Sequence, residues 1–236
     1  MSFFTAIFAL ATAVSFLSVC VSPAYSAYAV TTRYWDCCKP SCSWPNKAPV
    51  TKPVQQCSAN DKPLAQTSNA NTLYNTPSGC DGGPSYACSK QSPWALNSTL
   101  SYGFAAAKLK NQGEYNVCCA CYLLTFQDGP VKNKRMVVQV TNIGYDLADN
   151  HFDIAIPGGG QGIFKGCTRQ YPNYKGGATY GGVSTIKECD KLPANQRPGC
   201  LWRFNWFKNA DNPKVVFRQV NCPSALINIS GCKRLK

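Results

Sequence analysis

Apolar and polar positions along this chain alternate in short runs, and long amphipathic helical patterns are scarce. Arg135-Met136-Val137-Val138-Gln139-Val140-Thr141 reads as a strand rich in β-branched residues. His151-Phe152-Asp153-Ile154-Ala155-Ile156 alternates with period two, so His151, Asp153 and Ala155 share one face. Pro157-Gly158-Gly159-Gly160 ends that run. Leu201 to Trp206 and Val215 to Val220 flank the turn cluster Asn209-Ala210-Asp211-Asn212-Pro213, a hairpin-type signal. Pro93 to about Lys108 is a helix candidate, and a short helical piece is expected near Glu188. Between these runs lie long loops rich in Gly, Pro, Asn and Ser. The pattern predicts a mostly β domain, a small barrel or sandwich, with no linker, repeat or appended binding module.

The start of the chain reads differently. Residues 3–21 are almost wholly apolar and uncharged, and Ala24, Ser26, Ala27 and Ala29 follow. Residues 1–26 are read as a signal peptide cleaved somewhere within 26–30, with an uncleaved membrane anchor as the alternative. The chain has 15 cysteines, and setting aside Cys20 in the leader leaves 14, an even number. That parity suits seven disulfides in an oxidising, extracellular compartment. Residues 30–236 then form one domain, large enough to bury a core. Cys118-Cys119-Ala120-Cys121 raises zinc, but the secreted context and the parity favour disulfides, and His151 is the single histidine. No metal and no cofactor are expected.

The formal charge of +13 falls wholly after the leader, because no charged residue precedes Arg33. Lys and Arg are scattered rather than striped, which reads as solvated surface and excludes a nucleic-acid partner. A monomer without membrane contact after leader cleavage is expected. Asn97-Ser98-Thr99 and Asn228-Ile229-Ser230 fit N-glycosylation sequons.

With 11 acidic residues the candidates for chemistry can be enumerated. Asp36 stands in Thr32-Arg33-Tyr34-Trp35-Asp36-Cys37-Cys38. Adjacent cysteines diverge, so each must reach a different distant segment and pin the backbone at Asp36. A rigid carboxylate beside Tyr34 and Trp35 suits catalysis next to a sugar-stacking surface. It equally suits a capping Asp in a disulfide knot. Asp146, Asp149 and Asp153 cluster around one strand and its entry loop. No Gly-x-Ser-x-Gly elbow is present, a Ser-His-Asp site would need His151, and Cys-His chemistry would need a free thiol. Two carboxylates are the best equipment available. Glycoside hydrolysis needs such a pair, one to protonate the leaving oxygen and one to activate water or attack. Trp44, in a Pro/Ser/Cys loop, reads as a substrate platform. Trp94, Trp202 and Trp206 read as core.

The chain resembles glycoside hydrolase family 45. The resemblance runs through Thr31-Thr32-Arg33-Tyr34-Trp35-Asp36 to Cys42, Pro93-Trp94-Ala95, Cys118-Cys119-Ala120-Cys121 and Asn150-His151-Phe152-Asp153. It continues through Pro157-Gly158-Gly159-Gly160, Gly199-Cys200, Trp202-Arg203-Phe204, Trp206 to Pro213 and Phe217-Arg218-Gln219-Val220. It implies a six-stranded double-psi β-barrel with long disulfide-stapled loops, a few short helices and an open groove. It implies an inverting endo-β-1,4-glucanase acting on plant cell-wall β-glucan. Asp36 would be the general base, Asp153 the general acid and Asp146 an assisting carboxylate on a loop over the groove. Tyr34 and Trp44 match positions that contact glucosyl rings. Thr32 and His151 join them at the substrate, with His151 orienting the surroundings of the acid. Tyr145 stands where that loop carries a small residue in the family. The implied disulfides are Cys37–Cys167, Cys38–Cys80, Cys42–Cys118, Cys57–Cys88, Cys119–Cys232, Cys121–Cys222 and Cys189–Cys200.

On this reading Asp153 must hold a proton near working pH, through an apolar wall or the charge of Asp146, while Asp36 stays ionised. Inversion needs room for a water, so the carboxyls should lie roughly 6.5–9.5 Å apart. Two other readings stay open: a xyloglucan- or glucomannan-cleaving relative, and a non-hydrolytic, expansin-like wall-loosening or carbohydrate-binding protein. Expansins share the barrel and a His-Phe-Asp-like strand but lack the family-45 base, so Asp36 in its full motif argues against the last.

Overall fold

The computed structural model describes residues 27–64 and 75–235, so the leader segment expected over 1–26 lies outside the described residues. Its strands are β1 (Ala27–Tyr34), β2 (Gln56–Cys57), β3 (Tyr86–Ala87), β4 (Trp94–Ala95), β5 (Leu100–Lys108), β6 (Cys121–Phe126), β7 (Arg135–Ile143), β8 (His151–Ala155) and β9 (Val215–Val220). The main sheet runs β4-β5-β7-β6-β9-β1-β8, and β8 pairs back onto β5. Six strands therefore close into a double-psi barrel, with β4 hooked onto β5. The β1–β8 and β5–β7 pairs are parallel, and the other pairs of the ring are antiparallel. Closure removes the unpaired edges that an open sheet would expose.

Period-two alternation decides which side chains enter the barrel. Tyr122, Leu124 and Phe126 of β6, Met136, Val138 and Val140 of β7, and Phe152 and Ile154 of β8 pack together in one buried cluster. The opposite face of β8 carries His151 and Asp153. The apolar half of that strand fills the core, and its polar half is left facing outward.

Two sequence expectations are corrected. Pro93 to Lys108 is not a helix but β4, a turn and β5. Ala105 pairs with Val140 on one side and Ile154 on the other, so β5 is enclosed by two strands. A Cβ on Gly103 would come within 2.4 Å of Met136 Cε. The small residues that read as helix formers are there because neighbours crowd the strand, and tertiary pairing overrides local propensity. Leu201 to Trp206 is not a strand, because Leu201 to Asn205 complete the helix Arg197–Asn205 and Trp206 caps it. Trp202 and Trp206, four residues apart, stack at 5.3 Å against the core. The run fits periods of two and of four, and burial of both indoles selects the helix. The short helix expected near Glu188 is a 3₁₀ turn, Ile186–Lys191, opened by a Thr185/Glu188 capping box.

Seven disulfides join Cys37 to Cys167, Cys38 to Cys80, Cys42 to Cys118, Cys57 to Cys88, Cys119 to Cys232, Cys121 to Cys222 and Cys189 to Cys200. In both adjacent pairs one cysteine has a left-handed backbone, Cys37 at φ 61° and Cys119 at φ 62°. That turn throws the two sulfurs apart so that each meets its own partner. Beneath the staples, Gln139 is fully buried and donates to the carbonyls of Cys119 and Cys232. Asn97 and Asn228 are both exposed, the first in a turn before β5 and the second in the helix Ser224–Ser230.

Candidate active site

The parallel pairing of β1 with β8 builds the site. Its register sets Thr32 beside Asp153 and Tyr34 beside Ala155. Thr32 Oγ1 lies 2.6 Å from Asp153 Oδ1 and 2.8 Å from His151 Nε2. Thr32 has one hydroxyl proton, so it donates to one of these groups and accepts from the other. Burial holds the His151 pKa below its ordinary value, against a smaller upward pull from Asp146, which favours a neutral ring with one N–H. Nδ1 is buried with no hydrogen-bond partner among the described residues. An orphaned N–H there would cost more than an orphaned acceptor, so the proton belongs on Nε2. His151 then donates to Thr32, and Thr32 donates to Asp153 Oδ1. That order leaves Oδ2 to carry any proton of Asp153.

Asp36 lies just past β1, where Cys37 and Cys38 are bonded to separate segments. Its Oδ1 accepts from the Cys38 N–H at 2.9 Å, and its backbone carbonyl accepts from the Cys167 N–H at 2.9 Å. Burial pushes the Asp36 carboxyl up to about 6, the backbone N–H groups of Cys38 and Asp36 pull it back, and the charge of Asp146 adds to the rise. Burial pushes Asp153 up to about 7. The Thr32 hydroxyl and Arg33 oppose that rise, and the charges of Asp36 and Asp146 reinforce it. Between these values Asp36 is mainly ionised and Asp153 mainly protonated. The Tyr34 phenol is driven well above its ordinary value by burial and then by both carboxylates.

These groups open into one cleft of about 470 Å³, whose lining includes Thr32, Tyr34, Asp36, Asp146 and Asp153. Asp146 stands on the loop after β7. A Cβ on Gly144 would lie 2.3 Å from Leu147 Cδ1, so the Leu147 side chain packs into the space that a larger residue would fill. His151 is not part of the cleft wall and reaches it only through Thr32. Trp44 does not line the cleft either; it is half-buried, with the Lys39 ammonium 3.4 Å from its ring centre. Sequence reasoning passed over Ile163, Phe164 and Tyr180, which line the same cleft and expose large apolar surfaces. Their signal was an aromatic or aliphatic residue in a glycine-rich loop, too common to single out. It also passed over Asn142, which accepts from Ser41 N and donates to the Tyr34 hydroxyl at 3.4 Å. Among the described residues no group of His, Cys, Asp and Glu side chains is placed to hold a metal ion.

Residues 28–233 match the sequence family described as Glycosyl hydrolase family 45. The chain belongs to that family. It is therefore a glycoside hydrolase, and the match covers nearly all of the described fold. The family 45 chain is 57% identical over 205 residues to a putative endoglucanase type K of Fusarium oxysporum, covering 86% of this chain but 53% of that protein. It thus spans about half the length of that relative. An endoglucanase of Cryptopygus antarcticus is 53% identical over 211 residues, covering 89% of this chain and 90% of the relative. The crystal structure of the cellulase from that Antarctic springtail superposes with a TM-score of 0.82 at 51% identity, covering 89% of this chain and 98% of the springtail chain.

Proposed function

We propose that this family 45 chain is a secreted endoglucanase that hydrolyses internal β-1,4-glucosidic bonds with inversion. The observation that carries the reading is the pairing, in one cleft, of Asp36 and Asp153, two carboxyls that burial raises above their ordinary range. Asp153 donates its Oδ2 proton to the leaving oxygen, and Asp36 takes a proton from the attacking water. Thr32 and His151 hold the acid in place, Tyr34 offers its ring to a glucosyl unit, and Asp146 raises both carboxyl pKa values. The exposed apolar side chains of Ile163, Phe164 and Tyr180 in the cleft suit the apolar faces of pyranose rings. Seven disulfides favour an oxidising, extracellular site of action. Proton NMR of fresh hydrolysate tests the stereochemistry. The α-anomer should appear first; initial β-product would mean a covalent intermediate and a different role for Asp36.

The two affinities set a pH profile. Activity should fall below about pH 6 as Asp36 gains a proton and above about pH 7 as Asp153 loses its own. The result is a narrow bell whose limbs belong to the coupled pair. The negative charge of Asp146 raises both values, so Asp146→Asn should lower both and move the bell to more acid pH. Initial rates on carboxymethyl cellulose across pH 4–9 check this. A shift to alkaline pH, or no shift, would remove Asp146 from its assigned role.

A further inference from the structure

Beside the cleft lies a second hollow of about 550 Å³. Both cavities have Ile143 and Gly144 in their walls, so the two adjoin at the end of β7. We propose that this second hollow is a glucan-binding subsite, which takes a stretch of the same polysaccharide chain beyond the units held in the cleft. The inference rests on the endoglucanase reading and extends it to substrate length.

The lining carries what a neutral sugar needs. Tyr115 is 64% exposed and Tyr145 72%, and neither belongs to a core cluster, so both rings are available to stack on pyranose faces. In the same lining the Lys47 ammonium meets Glu114 Oε2 at 2.6 Å, with both side chains partly buried. That pair fixes N–H donors and carboxylate acceptors at one place, and sugar hydroxyls can use both. Gln112 adds an amide. The two charges offset each other, leaving Lys108 as the remaining charged residue of the lining, and the hydroxyls of a neutral glucan can pair with all three side chains. Burial and then the neighbouring Glu114 carboxylate raise the Tyr145 pKa, and Tyr145 lines the hollow beside Glu114, which ties the Asp146 loop to it.

The test uses the whole protein carrying Asp153→Asn, so that ligand binds without being cut. Calorimetric titration with β-1,4-gluco-oligosaccharides of three to eight units is repeated with Tyr115→Ala and, separately, with Tyr145→Ala. The Tyr115 carbonyl, which accepts from Arg234, survives the truncation. Loss of one stacking ring should weaken the longest ligands by about 3- to 10-fold. Binding of the trimer should stay unchanged. Equal losses at every length, no loss at any length, or tighter binding of polygalacturonate than of glucan would each overturn the subsite. Hydrolysis of the same series by the unmodified protein is read separately. If no glucan is cut, the endoglucanase reading fails; if all are cut but Tyr115→Ala has no length-dependent effect, only the subsite fails.

Discussion

Replacing Asp153 by Asn should lower activity on cellulosic polymers by about 10²–10⁴-fold, the usual worth of general acid assistance. The amide keeps the shape and still accepts from Thr32, but it has no proton of suitable acidity to give the leaving oxygen. Asp36→Asn should be comparably severe, because an amide cannot take a proton from water. The two losses separate on a substrate whose leaving group needs no proton. With a 2,4-dinitrophenyl β-cellooligoside, Asp153→Asn should recover much of its rate and Asp36→Asn should not. Circular dichroism establishes that each variant is folded. If Asp153→Asn keeps most of its activity on polymer while Asp146→Asn is dead, the acid assignment passes to Asp146.

Stability offers the second large effect. The Cys37–Cys167 bond closes a loop spanning 130 residues of separation and sits directly against Asp36. Removing it as the double variant Cys37→Ala and Cys167→Ala should destabilise the fold by about 5 kcal/mol on the loop-entropy account. The same change should lower activity beyond what unfolding explains. Cys37 has a left-handed backbone, and the Asp36 carbonyl is held by the Cys167 N–H, so the bond also fixes the direction of the base. Cys57–Cys88 supplies the control, since it closes a shorter loop and touches none of the cleft residues. Denaturant melts together with kcat at a temperature where every variant is folded would test this. If the Cys37–Cys167 variant loses stability but keeps full kcat, the disulfide does not position Asp36.

Much of the site was legible before any coordinates. The alternation of His151-Phe152-Asp153-Ile154 assigns Phe152 and Ile154 to a core and leaves His151 and Asp153 on the other face. The adjacent cysteines mark Asp36 as a pinned residue. Scarcity helped, because a chain with one histidine and few acids has few ways to do chemistry. Pro93 to Lys108 and Leu201 to Trp206 misled for opposite reasons. In the first, alanines and a glycine looked helical, although they are small because two strands press on them. In the second, a mixed aromatic run fitted two periods, and only burial of Trp202 and Trp206 on one side chose between them.

The sequence by itself determined the barrel's inward and outward faces, the even set of cysteines after Cys20 that can pair into seven disulfides, and the carboxylates available for reaction. Those properties follow from local periodicity and from which residue types are present. The tertiary structure alone decided that Thr32 stands between His151 and Asp153, because the parallel register of β1 on β8 joins segments more than 110 residues apart. It also decided the proton affinities. A carboxyl's pKa depends on how much water reaches it and which charges face it, and here burial and the convergence of Asp36, Asp146 and Asp153 exist only once the barrel has closed.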